Sequence, residues 1–314
     1  MTVLFVFVDG VGAGAPDPDH NPLARGDFLL SRFEDGSGAP LPAGARAVLA
    51  DATLGVPGRP QSATGQTAIL TGQNAPRLLG RHLLGYPNAA LRALLRERSL
   101  FRALAGAGRR AVFANAYPVA YLRALGFAAE GEPEFELGRR RARPSATTVA
   151  FAAGGGGFRT WGDARAGRGL THDITGRTAR GRGADVPARD PAEAADVFLA
   201  LARGHDLALF EFFETDEAGH ARSMDRAVDA LHRLDGFLRR LAGRLGPDDA
   251  LVVASDHGNV ENLRTRNHTL APVPVLGFGR AVPELGDVSD LTHLAPLLAR
   301  LAGAEALPPA RASG

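Results

Sequence analysis

The stretch Ala250-Leu251-Val252-Val253-Ala254-Ser255-Asp256-His257-Gly258-Asn259 decides how the rest of the chain is read. Its five apolar residues follow the turn-forming Gly246-Pro247-Asp248-Asp249. A short run rich in Val and Leu, without polar alternation, predicts a strand buried on both faces of a parallel sheet. The carboxyl end of that strand delivers Asp256 and His257 side by side. Both are metal-ligand types, and neither belongs in an apolar core. In open α/β sheets the crevice beyond the strand carboxyl ends is where ligands bind. An isolated Asp-His pair is a turn residue beside a surface imidazole; this pair has company.

Upstream, Leu207-Ala208-Leu209-Phe210-Glu211-Phe212-Phe213 is a second apolar run, and it leads into Glu214-Thr215-Asp216-Glu217-Ala218-Gly219-His220. The amino-terminal residues Thr2 to Val8 form a third run, ending at Asp9. Downstream, His268-Thr269 precedes a further strand, Val273 to Phe278. Right-handed crossovers put the three strand ends on one edge of a parallel sheet, so Asp9, Asp216 and Asp256 are expected to meet there, with His220, His257 and His268. The glycines after Asp9 do not make a dinucleotide fingerprint, because Pro16 and Pro18 forbid the helix that would receive a pyrophosphate. Between Gly58 and Gly72 a loop leads into a helix that starts near Ser62 and stops at Gly72. Ser62 falls at or beside the N-cap, where orphan N–H groups and the helix dipole favour an oxyanion.

The 314 residues suffice for a core domain with an insertion. There is no cysteine, so any metal must be held by Asp, Glu, His or hydroxyl oxygen. All 36 basic residues are arginine, which excludes a lysine base or Schiff base and makes every fixed cation a guanidinium. Between Arg81 and Asp190 there are 19 arginines against 9 acids, and elsewhere 17 against 25. An acidic core (1–80 and 190–314) with a basic inserted α+β cap (81–189) suits cations in the core and a small anionic substrate beneath the cap. The remaining expectations are a short helix around Phe28 to Phe33, helices over Ala89 to Ala107, Ala192 to Arg203 and Asp290 to Ala302, and a strand Arg110 to Ala114. A long amphipathic helix is expected from Met224 to Leu245, before a disordered carboxyl tail. The amino terminus reads as a strand rather than a signal peptide, and no apolar run nears the roughly 20 residues of a membrane span. The chain is therefore expected in the cytoplasm, without a membrane partner. The cluster Arg139-Arg140-Arg141 with Arg143 has no interleaved aromatic residues, which argues against nucleic-acid binding.

Carboxylates gathered at one edge would repel one another by several kcal/mol in a poorly solvated site, and so imply divalent cations between them. Six Asp and His side chains plus Ser62 exceed one tetrahedral ion and suit two. Asp216 to His220, Asp256 to Asn259, and His268-Thr269-Leu270-Ala271-Pro272-Val273-Pro274 resemble the metal motifs of the alkaline phosphatase superfamily. The closest likeness is to its branch of cofactor-independent phosphoglycerate mutases and phosphopentomutases. Ser62 to Gly72, with Gly65 between, has the spacing of that superfamily's nucleophile turn. The resemblance implies an alkaline-phosphatase-like three-layer α/β/α fold with a mostly parallel sheet. It implies one metal on Asp216, His220 and His268, and another on Asp9, Asp256 and His257 touched by a nucleophilic Ser62. Mn²⁺ is the ion expected by analogy, with Zn²⁺ or Mg²⁺ compatible. This chain departs from that branch in its smaller cap and its lack of lysine.

The resemblance further implies phosphoryl transfer through a phosphoserine on a small phosphorylated metabolite, ending in hydrolysis or in return of the group to another hydroxyl. A smaller cap excludes water less well and favours hydrolysis. Arg81 and His82 are candidate substrate contacts, Asn259 and Glu261 candidate orienters of the ligands, and Thr64 a rival nucleophile with the wrong spacing to Gly72. Two other readings stand beside this one. Sulfate-ester or phosphodiester hydrolysis on the same fold is disfavoured for sulfates by a serine where the common sulfatases need a modified cysteine. A non-catalytic metal-binding protein is disfavoured by the completeness of the ligand set.

Overall fold

A computed structural model describes residues 1–129, 142–304 and 307. Six strands make the central sheet: β1 (Val3–Val8), β2 (Ala45–Ala50), β3 (Ala111–Phe113), β6 (Leu207–Phe212), β7 (Ala250–Ser255) and β8 (Val273–Gly279). A separate pair, β4 (Ala116–Tyr117) and β5 (Arg159–Thr160), is parallel. The sheet order is β2-β8-β7-β1-β6-β3. Strands β7, β1, β6 and β3 run parallel, while β8 is antiparallel to β7 and β2 to β8. All residues of β1, β6 and β7 are buried, as their unbroken apolar runs require.

Helices cover both faces. Val3, Phe5 and Phe7 of β1 face a cluster built from α1 (Ser62–Thr71), α3 (Ala89–Arg98), α4 (Leu100–Gly106), α6 (Ala146–Ala153) and α12 (Leu294–Leu301). The short α2 (Ala75–Leu79) follows α1, and its Ala75 packs with Ala63 and Leu91. Leu4, Val6 and Val8 face α9 (Pro191–Ala202), α10 (Glu214–Ala221) and α11 (Met224–Ala242). Burying alternate residues of one strand on opposite faces produces the expected three-layer α/β/α core.

Several expectations are corrected. The segment 81–189 is not a cap from its first residue: β3 is the sheet's edge strand, and α3, α4 and α6 pack on the core. What projects is smaller, comprising the β4–β5 pair, α5 (Val119–Ala124), α7 (Trp161–Arg165) and α8 (Arg177–Gly181). A minor cluster of Ala116, Trp161, Ala164, Ala179, Ala184 and Val186 holds it. The expected strands do not include β2, whose half-exposed alternation is weak because it lies at a sheet edge. No helix forms at Phe28 to Phe33; a 3₁₀ turn lies earlier, at Pro22–Arg25, where the Asn21 side chain accepts from the Leu23 N–H. The single helix expected over Ala89 to Ala107 breaks at Ser99, whose extended backbone and hydroxyl cap α4. The last helix is α only from Leu294, after a 3₁₀ turn capped by Asp290. The run Arg139-Arg140-Arg141 and nearly all of the carboxyl tail lie outside the described residues. Among the described residues no helix is long and apolar enough to cross a membrane.

Candidate metal centre and nucleophile

The strand register builds the site. Val8 pairs with Phe212 on one side and Ser255 on the other, so Asp9, Phe213 and Asp256 leave the sheet abreast. The Asp9 N–H still donates to Phe212 O at 2.9 Å. Asp216 does not end a strand, as expected from the sequence, but sits in the first turn of α10. One helical turn later, His220 lies on the same face and reaches back, Nε2 to Asp216 Oδ2 at 3.2 Å. Gly10 has φ +72°, and a Cβ there would lie 2.7 Å from Asp216 Oδ1, so the turn after Asp9 requires glycine. Ser62 is the first residue of α1, after Gln61 at the N-cap.

Two triads result. Asp9, Asp256 and His257 offer ligand atoms within 4.8 Å of one another, as do Asp216, His220 and His268. His257 Nε2 lies 3.3 Å from Asp9 Oδ1, 3.5 Å from Asp256 Oδ2 and 2.9 Å from Ser62 Oγ. His268 Nε2 lies 3.6 Å from Asp216 Oδ1 and 3.3 Å from His220 Nε2. The rings of His257 and His268 stack with centroids 3.7 Å apart, so the two triads share a wall. All seven residues read from the sequence are thus brought together at one rim of the sheet.

The electrostatics are those of a site made for cations. Burial, then the charges of Asp256, Asp216 and Glu211, push the Asp9 carboxyl well above the usual range. Burial and Asp216 raise Asp256 to about 7. Burial holds His257 and His268 down to about 4, so both imidazoles are neutral at pH 7. Burial also acts upward on Asp216, but the His220 hydrogen bond and the neighbouring imidazoles win, and its carboxyl is lowered.

The donor set fits divalent cations. One buried carboxylate oxygen of each aspartate, Asp9 Oδ1, Asp216 Oδ1 and Asp256 Oδ2, has no hydrogen-bond donor. His268 Nδ1 is 2.9 Å from Pro60 O and His220 Nδ1 is 2.7 Å from Arg266 O. A carbonyl only accepts, so both Nδ1 atoms carry the proton that leaves Nε2 for a ligand, the usual outer arrangement of a metal-bound histidine.

The other candidates separate clearly. Glu261 accepts from the N–H groups of Gly12 at 2.9 Å and Asn259 at 2.7 Å, and from the Thr269 hydroxyl. It therefore ties together the loops that follow Asp9, Asp256-His257 and His268 without touching a ligand side chain. Asn259 packs against Gly219, where a Cβ would meet its Oδ1 at 1.8 Å, and its Nδ2 is 3.4 Å from His220 Nδ1. His82 points Nε2 at Val56 O, 3.2 Å away, in the loop before α1; the exposed Arg81 bonds through its N–H to Pro76 O. Thr64 is buried, its hydroxyl on Gln61 O at 3.0 Å, and is no nucleophile. The sequence reading missed a cavity of about 470 Å³ beside His220 and His268, which Arg59, Gln61, Leu84 and Arg266 also line. It also missed Glu211, a buried carboxyl pushed up to about 7 by burial, whose Oε1 takes a bond from the Thr147 hydroxyl at 3.2 Å.

Comparison with known proteins agrees with this geometry. Residues 185–306, which carry five of the six Asp and His ligands, match the model of the Metalloenzyme superfamily. Over that segment the chain is similar to the superfamily. It is 37% identical over 84 residues, 27% of this chain, to a phosphopentomutase of Symbiobacterium thermophilum. It is 32% identical over 130 residues, 38% of this chain, to a 2,3-bisphosphoglycerate-independent phosphoglycerate mutase of Roseobacter denitrificans. These matches span only 21% and 25% of those relatives' lengths. The alkaline phosphatase of Thermus thermophilus superposes with a TM-score of 0.60 at 16% identity, covering 98% of this chain and 92% of that one, which establishes the shared fold. The likeness and the two groups of Asp and His side chains together point to divalent-metal binding.

Proposed function

We propose that the protein transfers phosphoryl groups from a small phosphorylated metabolite through a phosphoserine at Ser62. Two divalent ions, Mn²⁺ before Zn²⁺ or Mg²⁺, would be held by Asp9, Asp256 and His257 and by Asp216, His220 and His268. The observation that carries this reading is the hydroxyl of Ser62 at the amino end of α1, 2.9 Å from the His257 nitrogen that also faces Asp9 and Asp256. When bound, the ions lower the pKa of the serine hydroxyl and neutralise charge on the phosphoryl oxygens. Ser62 Oγ gives up its proton to water at this rim and attacks phosphorus, and the bond from phosphorus to the leaving oxygen breaks with its electron pair, that oxygen taking a proton from water. Ser62 is the first residue of α1, where the helix dipole favours an oxyanion. Hydrolysis of the phosphoserine, in which water adds at phosphorus and Ser62 Oγ leaves, is favoured over return of the group to another hydroxyl. The half-exposed His220 and the reduced cap leave water access to this rim.

Ser62→Ala tests the reading with phosphomonoesters in the presence of Mn²⁺. The expected result is a loss of at least about 10³-fold in kcat with metal content retained, since the nucleophile goes while the Asp and His donors stay. Wild-type turnover in that variant removes Ser62 from the mechanism.

A further inference from the structure

We infer that Arg59 and Arg266 form a second anion site, which grips a carboxylate or phosphate on the non-transferred end of the substrate. The inference rests on the phosphoryl-transfer reading for its reaction, but on the cavity for its geometry. That cavity opens beside the His220–His268 triad, with the two arginines and Leu84 on its walls. About 470 Å³ is the size of a small-metabolite pocket.

Three observations single out the pair. Neither guanidinium has a carboxylate partner among the described residues, whereas Arg264, two residues before Arg266, pairs with Asp17 at 2.9 Å. Each arginine is anchored to a rim histidine through backbone. Pro60, next to Arg59, accepts from His268 Nδ1 at 2.9 Å, and the carbonyl of Arg266 itself accepts from His220 Nδ1 at 2.7 Å. The distance from each arginine's backbone to the phosphoryl-binding rim is therefore fixed by the same bonds that orient the imidazoles. Finally, Gln61 Oε1 is buried without a donor in this same wall, and Leu84 is 69% exposed beside it. An acceptor in want of a donor and a bare apolar side chain fit a short hydroxylated carbon linker between the two anionic groups.

The phosphoryl group already meets Ser62 and two triads, so two further cations exceed what one phosphate monoester needs. A planar fork suited to bidentate grips is the side chain that selects a carboxylate or phosphate. Arg81 and His82, the contacts expected from sequence, lie outside this wall; Leu84 of the same stretch is in it.

The test measures binding of phosphonoacetate, which carries two anionic groups, and methylphosphonate, which carries one, to the Mn²⁺-loaded protein by calorimetry. The wild-type chain is expected to prefer phosphonoacetate by about tenfold or more, and Arg59→Ala/Arg266→Ala to lower that preference by about tenfold, with Arg59→Lys/Arg266→Lys retaining part of it. Equal weakening of both probes, or an unaltered ratio, overturns the assignment. Thermal melts identify any variant that fails to fold, and in that case Arg266→Gln alone is read by the same ratio. The probes need no turnover: a chain that cleaves no phosphomonoester defeats the phosphoryl-transfer reading, while the ratio still decides the arginines.

Discussion

The two triads use the same residue types in opposite proportion, and the difference shows how a fold divides labour between neighbouring sites. The inner triad has two carboxylates and one imidazole delivered by strand ends, and the His257 side chain is 0% exposed. The rim triad has one carboxylate and two imidazoles on a helix and a loop, and the His220 side chain is 44% exposed. Without a cation the inner triad is at odds with itself: burial and mutual repulsion raise Asp9 and Asp256. The rim triad is less at odds with itself: a shared hydrogen bond lowers Asp216 and raises His220, although Asp216 Oδ1 has no donor. The inner triad needs a cation for its own stability; the rim triad only accommodates one.

The largest test of this contrast is charge removal. In metal-chelated protein Asp256→Asn should raise stability while abolishing most of the stabilisation by Mn²⁺, which is about 3 to 4 kcal/mol at 100 to 1,000 times Kd. Asp216→Asn should lower the stability of the chelated protein. The pH dependence carries the same sign. Asp256 binds its proton more tightly folded than unfolded, so between about pH 4 and pH 7 the folded chain holds the extra proton. Raising pH through that window removes it, and the chelated protein loses up to about 1.4 kcal/mol per pH unit for this one group. Melting curves in chelator from pH 4 to 8 should show the decline in wild type and a shallower one in Asp256→Asn; a steeper one would erase the contrast.

A smaller effect concerns release. The more exposed rim ion should leave first under a mild chelator. His220→Ala should weaken that step alone by about 10- to 100-fold, read as metal-to-protein ratio along the titration. Simultaneous loss of all metal would show that the triads act as one site.

Much of this contrast was legible beforehand, and the reason is local. Runs such as Ala250 to Ala254, apolar on both faces, announce buried parallel strands, and strand ends share an edge by topology, so Asp9 and Asp256 could be placed from sequence. Asp216 could be placed but not understood, because the run from Leu207 passes into α10 without a turn signal, and Phe213 serves as N-cap without a side-chain bond. Arg59 and Arg266 were hidden for a different reason. Their position depends on the backbone bonds to His268 and His220, and such long-range pairings leave no periodic trace. The edge strand β2 escaped because it is only half buried, whereas the short apolar run of β3 was read as a strand.

Glu261 offers the finest test, because it belongs to neither triad and serves both. Its carboxylate collects the Gly12 N–H, the Asn259 N–H and the Thr269 hydroxyl, one donor from each of three ligand-bearing loops. Burial raises its pKa, yet those bonds favour the ionised acceptor. Glu261→Leu keeps much of the volume but removes every acceptor, leaving two buried N–H groups and a hydroxyl unpaired at about 1 to 3 kcal/mol each. If the triads are independent, only one metal step should weaken in this variant. The geometry instead predicts that both steps weaken together, by less than His220→Ala weakens its own, with a fall in Tm that Glu261→Asp does not repair because its shorter arm cannot span three loops. Weakening confined to the inner step would make Glu261 a support of the Asp256-His257 turn alone, and the unequal triads would then be held in register only by the stacked rings of His257 and His268.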